Sequence, residues 1–128
     1  MISISETILI QDILIEKFGG TRGIRDRGLL ESSLSRPFQT FDSKDLYPTI
    51  VQKAAALIES IVTNHPFIDG NKRIGYVIMR LFLVDNEFDL KSSQDDKYNF
   101  VIQIASGLYD FEKICDWISN HIEERNRH

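Results

Sequence analysis

The stretch Ile50-Val51-Gln52-Lys53-Ala54-Ala55-Ala56-Leu57-Ile58-Glu59-Ser60-Ile61-Val62 decides the fold. Ile50, Val51, Ala54, Leu57, Ile58, Ile61 and Val62 recur at i, i+1, i+4, i+7, i+8, i+11 and i+12. On a helix this is one wide apolar face, the mark of an element buried against several neighbours. Pro48 suits the first turn of this helix, and the pattern stops near Asn64.

Working outward, a loop from His65 to Gly70 leads into a second long helix from about Asn71 to Asn86. Ile74, Val77, Ile78, Leu81 and Phe82 form its apolar face, broadened by Leu83 and Val84. Upstream, Ser3 and Glu6 have capping-box spacing for a helix from Ile4 to Lys17, stopped by Phe18-Gly19-Gly20. Asp26 can cap a short helix through Leu34 that carries Leu29, Leu30 and Leu34. Arg36 to Ser43 reads as a loop, because Pro37 disfavours helix at Arg36. Downstream, Phe88 to Leu90 reads as a short extended piece. Asp95 or Asp96 can open a helix with Tyr98, Val101, Ile102 and Ala105 inward and Gly107 near its end. Asp110 can cap a last helix bearing Phe111, Ile114, Cys115, Ile118 and Ile122. The polar residues Glu123 to His128 read as a frayed tail. Six helices with almost no strand alternation predict an all-α bundle, and 128 residues suit a single domain over 1–128.

Composition narrows the function. The chain is 42% hydrophobic and 27% charged with net charge −4, which argues against a general nucleic-acid or anionic-membrane binder but leaves room for a local basic pocket. One cysteine, Cys115, precludes an internal disulfide and fits a reducing compartment. No apolar run reaches a membrane span, and Met1 to Glu6 lacks a basic leader, so the expected location is the cytoplasm.

The loop His65-Pro66-Phe67-Ile68-Asp69-Gly70-Asn71-Lys72-Arg73 carries more chemistry than a connector needs. Gly70 allows close backbone approach to a ligand. Asn71 opens a helix, whose free N–H groups and positive dipole end attract an anion. Lys72 and Arg73 stand in the first turn, where cations oppose the dipole unless an anion is bound. Asp69 could hold Mg²⁺ together with phosphate oxygens. His65, at the other end of the loop, offers an imidazole suited to general-base work at neutral pH. Each residue also has a plainer reading: a structural histidine, Asp69 as helix N-cap, Asn71 as turn former, and Lys72 and Arg73 as a solvated face. Taken together, the plain readings require two uncompensated cations at one helix start.

These nine residues resemble the signature of the Fic/Doc family. Lys72 after the asparagine is similar to the Doc branch, whereas classical Fic enzymes carry glycine there. Phe18-Gly19-Gly20, Gly23-Ile24-Arg25-Asp26, Leu29-Leu30-Glu31-Ser32, Arg36-Pro37-Phe38 and Lys53-Ala54-Ala55 resemble Doc-type chains as well.

The resemblance implies a compact all-α fold of six to seven helices, with the active-site loop between two central helices. ATP and Mg²⁺ would be bound, with His65 as catalytic base and Asp69 as metal carboxylate. Gly70, Asn71, Lys72 and Arg73 would form the phosphate cradle. For the Doc branch it implies a toxin of a toxin–antitoxin pair that moves the terminal phosphate of ATP to elongation factor Tu and blocks translation. The partners would be that target and a small antitoxin, with no membrane or direct nucleic-acid contact. AMP transfer, or a non-catalytic binding protein on the same fold, are the alternatives, beside dephosphorylation or phosphocholine-type transfer.

Two positions depart from the family pattern. Tyr76 stands where classical Fic motifs have a second arginine, and Val77 where Doc has asparagine. Phe38-Gln39-Thr40-Phe41 resembles the border of the target-docking side, and could equally be a loop anchored by two buried aromatics. Arg22, Arg25 and Arg27 form a basic cluster that fits either a protein target or a solvated loop. Arg80 could be a surface ion-pair partner. Cys115 reads as a buried thiol and Trp117 as packing. His121 and His128 lack zinc-ligand spacing.

Overall fold

Helix α1 (Ile4–Phe18) begins with the expected reciprocal cap: the Ser3 Oγ accepts from the Glu6 N–H at 3.1 Å, and the Glu6 carboxylate accepts from the Ser3 N–H at 3.0 Å. The computed structural model describes residues 2–125. Helix α2 (Arg27–Ser35) is capped by Asp26, whose carboxylate accepts from the Leu29 N–H at 2.9 Å. Helices α3 (Ile50–Asn64), α4 (Asn71–Asp85), α5 (Gln94–Ala105) and α6 (Phe111–His121) follow. Two small antiparallel pairs complete the described residues: β1 (Thr40–Phe41) with β2 (Lys44–Asp45), and β3 (Phe88–Leu90) with β4 (Ile122–Glu124). The expected all-α architecture is what the chain adopts, with six helices among the described residues and the loop His65 to Gly70 between α3 and α4.

Helix α3 is the axis. Ala54, Leu57, Ile58, Ile61 and Val62 are all buried, and α2, α4, α5 and α6 pack around it. The α3–α4 contact is close because Gly75 has no side chain: a Cβ there would lie 2.9 Å from Val62 Cγ2. That closeness sets the two ends of the site loop near one another. Arg36 braces α3 from the other side, donating to Tyr47 Oη, Ser60 Oγ and the Ala56 carbonyl and pairing with Glu59 at 2.9 Å.

Several local expectations are corrected. Arg36 is helical: α2 runs directly into a 3-10 turn over Arg36–Phe38 with Pro37 in its opening positions, where the missing N–H is not needed. The expected loop then forms the β1–β2 hairpin, turned by Asp42 and Ser43, both at positive φ. Phe41 is 76% exposed, so the reading of two buried aromatics fails, although Phe38 packs edge-on against Phe82. Lys53 ties this hairpin to α3 by donating to Asp45 and to the Tyr47 carbonyl. Pro48 lies before the helix, whose cap is Thr49 in a capping box with Gln52.

On α4, Leu81 is exposed while Tyr76 and Met79 are buried. On α5, Tyr98 and Ala105 face solvent, and Phe100, Val101 and Ile104 face the core. The large Phe100 ring turns that helix inward by stacking on Trp117 at 3.8 Å. Glu123 and Glu124 are paired in β4, with Leu90 opposite Ile122 and Phe88 opposite Glu124, rather than frayed. Residues 126–128 of the expected tail lie outside the described residues. Among those described, no helix is long and apolar enough to cross a membrane.

Candidate active site

The loop between α3 and α4 is built from backbone bonds outward. His65 ends α3 in the left-handed conformation (φ 50°, ψ 57°), so the chain turns sharply and the imidazole side chain is exposed. Pro66 and Phe67 then turn inward, and Phe67 is wholly buried. Asn71 clamps this segment: its Oδ1 accepts from the Phe67 N–H at 3.0 Å, and its Nδ2 donates to the Phe67 carbonyl at 2.9 Å. The Asn71 side chain is thus occupied within the loop, and only its main-chain N–H remains to face an anion. Gly70 is the N-cap of α4 at φ 80°, a conformation that disfavours any residue with a Cβ. No side chain caps α4, and the first intrahelical bond runs from the Ile74 N–H to the Gly70 carbonyl.

Asp69 is not the helix cap. Its Oδ2 accepts from the Thr21 N–H at 2.9 Å, which links it to the α1–α2 connection. That connection supports the loop along its length. Ile24 bridges to Phe67, the Arg25 N–H donates to the Pro66 carbonyl, and the Ile68 N–H donates to the Gly23 carbonyl. Buried Gln11 accepts from the Gly23 N–H, while its amide nitrogen reaches the carbonyls of Thr21, Gly23 and Asp69. Arg25 donates from Nε to the His65 carbonyl at 2.6 Å and from its guanidinium to the Asn64 carbonyl at 2.7 Å. A cation there satisfies the last carbonyls of α3 and complements its negative end. Of the basic cluster, Arg25 is therefore a loop brace, Arg22 pairs with Asp12 and Glu16, and Arg27 pairs with Glu31.

His65, Asp69, Gly70, Asn71, Lys72 and Arg73 all line one cleft of about 790 Å³. All six predicted site residues are brought together. Among the described residues, Asp69 is the only carboxylate in its lining, and Lys72 and Arg73 have no acidic partner. Arg73 instead lies over the Phe18 ring, 4.2 Å from its centroid. A cation–π contact holds the guanidinium while leaving its N–H edge free for an anion.

The roles of Gln11 and of the cleft walls formed by Phe18, Lys97 and Tyr98 were not read from the sequence, and Arg25 stood out there only as part of a basic cluster. Gln11 had no distinct local signal, because α1 also carries Glu6, Thr7, Asp12, Glu16 and Lys17. Tyr76 lines the cleft from α4, and burial raises its phenol above the ordinary range. Arg80 forms a two-pronged pair with Asp89 at 2.7 and 3.1 Å, as a surface ion pair. Burial pushes the Cys115 thiol up to about 11, which makes it a poor nucleophile. Trp117 is packing, stacked between Phe100 and His121.

The helical bundle thus holds an imidazole, a carboxylate and two cations without an acidic partner among the described residues around one loop. The sequence profile of the Fic/DOC family matches residues 1–83, from α1 through most of α4. The chain belongs to the Fic/DOC family. It is similar to Toxin Doc of Mycolicibacterium smegmatis (strain ATCC 700084 / mc(2)155), being 39% identical over 84 residues. That alignment covers 61% of this chain and 65% of the relative, just under two thirds of its length.

Proposed function

We propose that the chain is a Doc-type toxin that transfers the terminal phosphate of ATP to a hydroxyl of a target protein. The observation that carries this reading is the exposed His65 imidazole sharing one cleft with Asp69 and with Lys72 and Arg73, which have no acidic partner among the described residues. His65 accepts the proton of the target hydroxyl as its oxygen bonds to the terminal phosphorus. The bond from that phosphorus to its bridging oxygen breaks, and ADP leaves with the electron pair. Lys72 and Arg73 hold phosphate oxygens, with Arg73 offering planar two-pronged contact. The α4 N–H groups at Gly70 and Asn71 add to the cradle.

Asp69 fits a divalent cation of the Mg²⁺ kind, because a lone carboxylate leaves the remaining ligands to phosphate oxygens and water. Mg²⁺ would supply charge neutralisation between the phosphates. Phe67 and Asn71 act at one remove, by keeping the loop in a single conformation.

Lys72 in place of glycine and Tyr76 in place of arginine favour terminal-phosphate over AMP transfer. Val77, a half-buried cleft wall in place of the Doc asparagine, is the observation that keeps AMP transfer as the second reading. The relative's name, Toxin Doc, supports a toxin role with a small antitoxin as partner. The family resemblance supports elongation factor Tu as target, and hence action in the cytoplasm.

The test is incubation of the chain with elongation factor Tu and ATP labelled at the terminal or at the alpha phosphate. Label on the target from the terminal position only is the expected result, and it is lost in His65→Ala. Label from the alpha position only would replace this reading with adenylylation. ATP bound without transfer of either label would leave a binding protein.

A further inference from the structure

We infer that Lys97, on α5, is a third phosphate-holding cation of this cleft, so that the site grips a chain of phosphates rather than a single one. The inference rests on the nucleotide reading above and deepens it. Lys97 lies beyond the residues that match the family profile, so its place here comes from this chain's own C-terminal helices.

Three observations converge on it. Lys97 lines the cleft from α5, while Lys72 and Arg73 line it from α4, so the cations come from two different helices. Lys97 is half-buried although its neighbours Asp95, Asp96, Tyr98 and Asn99 are exposed, and its Nζ lies 5.0 Å from the centroid of the Tyr76 ring. Among the described residues it has no acidic partner, and Asp95 and Asp96 do not line the cleft.

The Tyr76 ring does for Lys97 what the Phe18 ring does for Arg73. Each aromatic face orients a cation without neutralising it. Tyr76 is three residues, about 4.5 Å of helix rise, beyond Arg73, so Lys97 is held against a later residue of α4 than the first-turn cations. Three like charges in one cleft repel one another unless an anion separates them. An extended polyphosphate meets the first-turn pair with one group and Lys97 with another.

The test is calorimetric titration of the full chain, its Lys97→Gln and its Lys97→Arg variants with ATP, inorganic tripolyphosphate and AMP. Thermal melts check that each variant is folded. Loss of one charge-assisted contact predicts that Lys97→Gln weakens ATP and tripolyphosphate roughly 10- to 100-fold while AMP stays within about two-fold, and that Lys97→Arg restores most of the loss. Unchanged ATP affinity in Lys97→Gln, or an equal loss for AMP and ATP, overturns the assignment of Lys97 alone. Failure of the unaltered chain to bind either ATP or tripolyphosphate overturns the nucleotide reading and this inference together.

Discussion

Asn71→Ala is the perturbation that separates a scaffold role for this side chain from a ligand role. The Asn71 amide makes two hydrogen bonds to one buried residue, from the Phe67 N–H at 3.0 Å and to the Phe67 carbonyl at 2.9 Å. Truncation leaves that N–H and that carbonyl without partners in a place where Phe67 is wholly buried. An orphaned buried polar group costs about 1–3 kcal/mol. Two orphans, less the desolvation no longer paid by the missing amide, come to about 2–4 kcal/mol. Against a total stability on the order of 5–15 kcal/mol, that is a large fraction.

Asn71→Asp should cost less, about 1–3 kcal/mol, because a carboxylate still accepts from the Phe67 N–H but cannot donate to its carbonyl. Urea denaturation followed by circular dichroism measures the loss, and hydrogen exchange at the Phe67 amide locates it. A loss below about 0.5 kcal/mol for Asn71→Ala, the scale of an ordinary surface substitution, together with retained protection of the Phe67 amide, would show that the Asn71 side chain does not clamp the loop.

Other perturbations test the supports of the same loop. Gly75→Ala drives a methyl to 2.9 Å from Val62 Cγ2, so it should destabilise the α3–α4 packing by about 1–3 kcal/mol, read as a lowered urea midpoint. Arg25→Ala removes both side-chain bonds to the end of α3. Transfer turnover should fall more than nucleotide affinity, because the residue displaced is His65 and not the phosphate cradle. Equal losses in both would contradict this. The Arg80 guanidinium holds the Asp89 carboxyl below its usual range. A carboxylate with a lowered folded-state value stabilises the protein above its unfolded value, and that contribution disappears as pH falls through the folded one. Since Arg80 is half-exposed, the effect is about 0.5–1 kcal/mol, and Arg80→Gln should flatten stability versus pH in the acid range by that amount.

The helices themselves were legible because their signals are local. Ser3 with Glu6, Asp26 and Asp110 each cap the helix that their spacing indicates. Some errors were local, as at Pro37 and Pro48, and others arose where a distant contact outweighed the local pattern. Phe100 turned α5 away from the face predicted through Tyr98, because stacking on Trp117 buries the larger ring. Glu123 and Glu124 carry no strand signal of their own and are ordered by pairing with Phe88 and Asp89. In the candidate site, the plainer reading of Asp69 as a helix cap fails for the same reason. The Thr21 N–H that takes its carboxylate lies 48 residues away.

By itself the sequence determined the six-helix framework, the loop His65 to Arg73 and the charged groups in it, since periodicity, caps and a contiguous motif are all written within a few residues of one another. Only the tertiary structure decided what each of those groups is free to do. Asn71 is spent on Phe67, Arg25 on the end of α3 and Asp69 partly on Thr21, while Lys72, Arg73 and the distant Lys97 line one cleft with no acidic partner among the described residues. Hydrogen-bond partners and ion pairs form between residues that the chain brings together only on folding, so no local pattern could have revealed which charges would remain available.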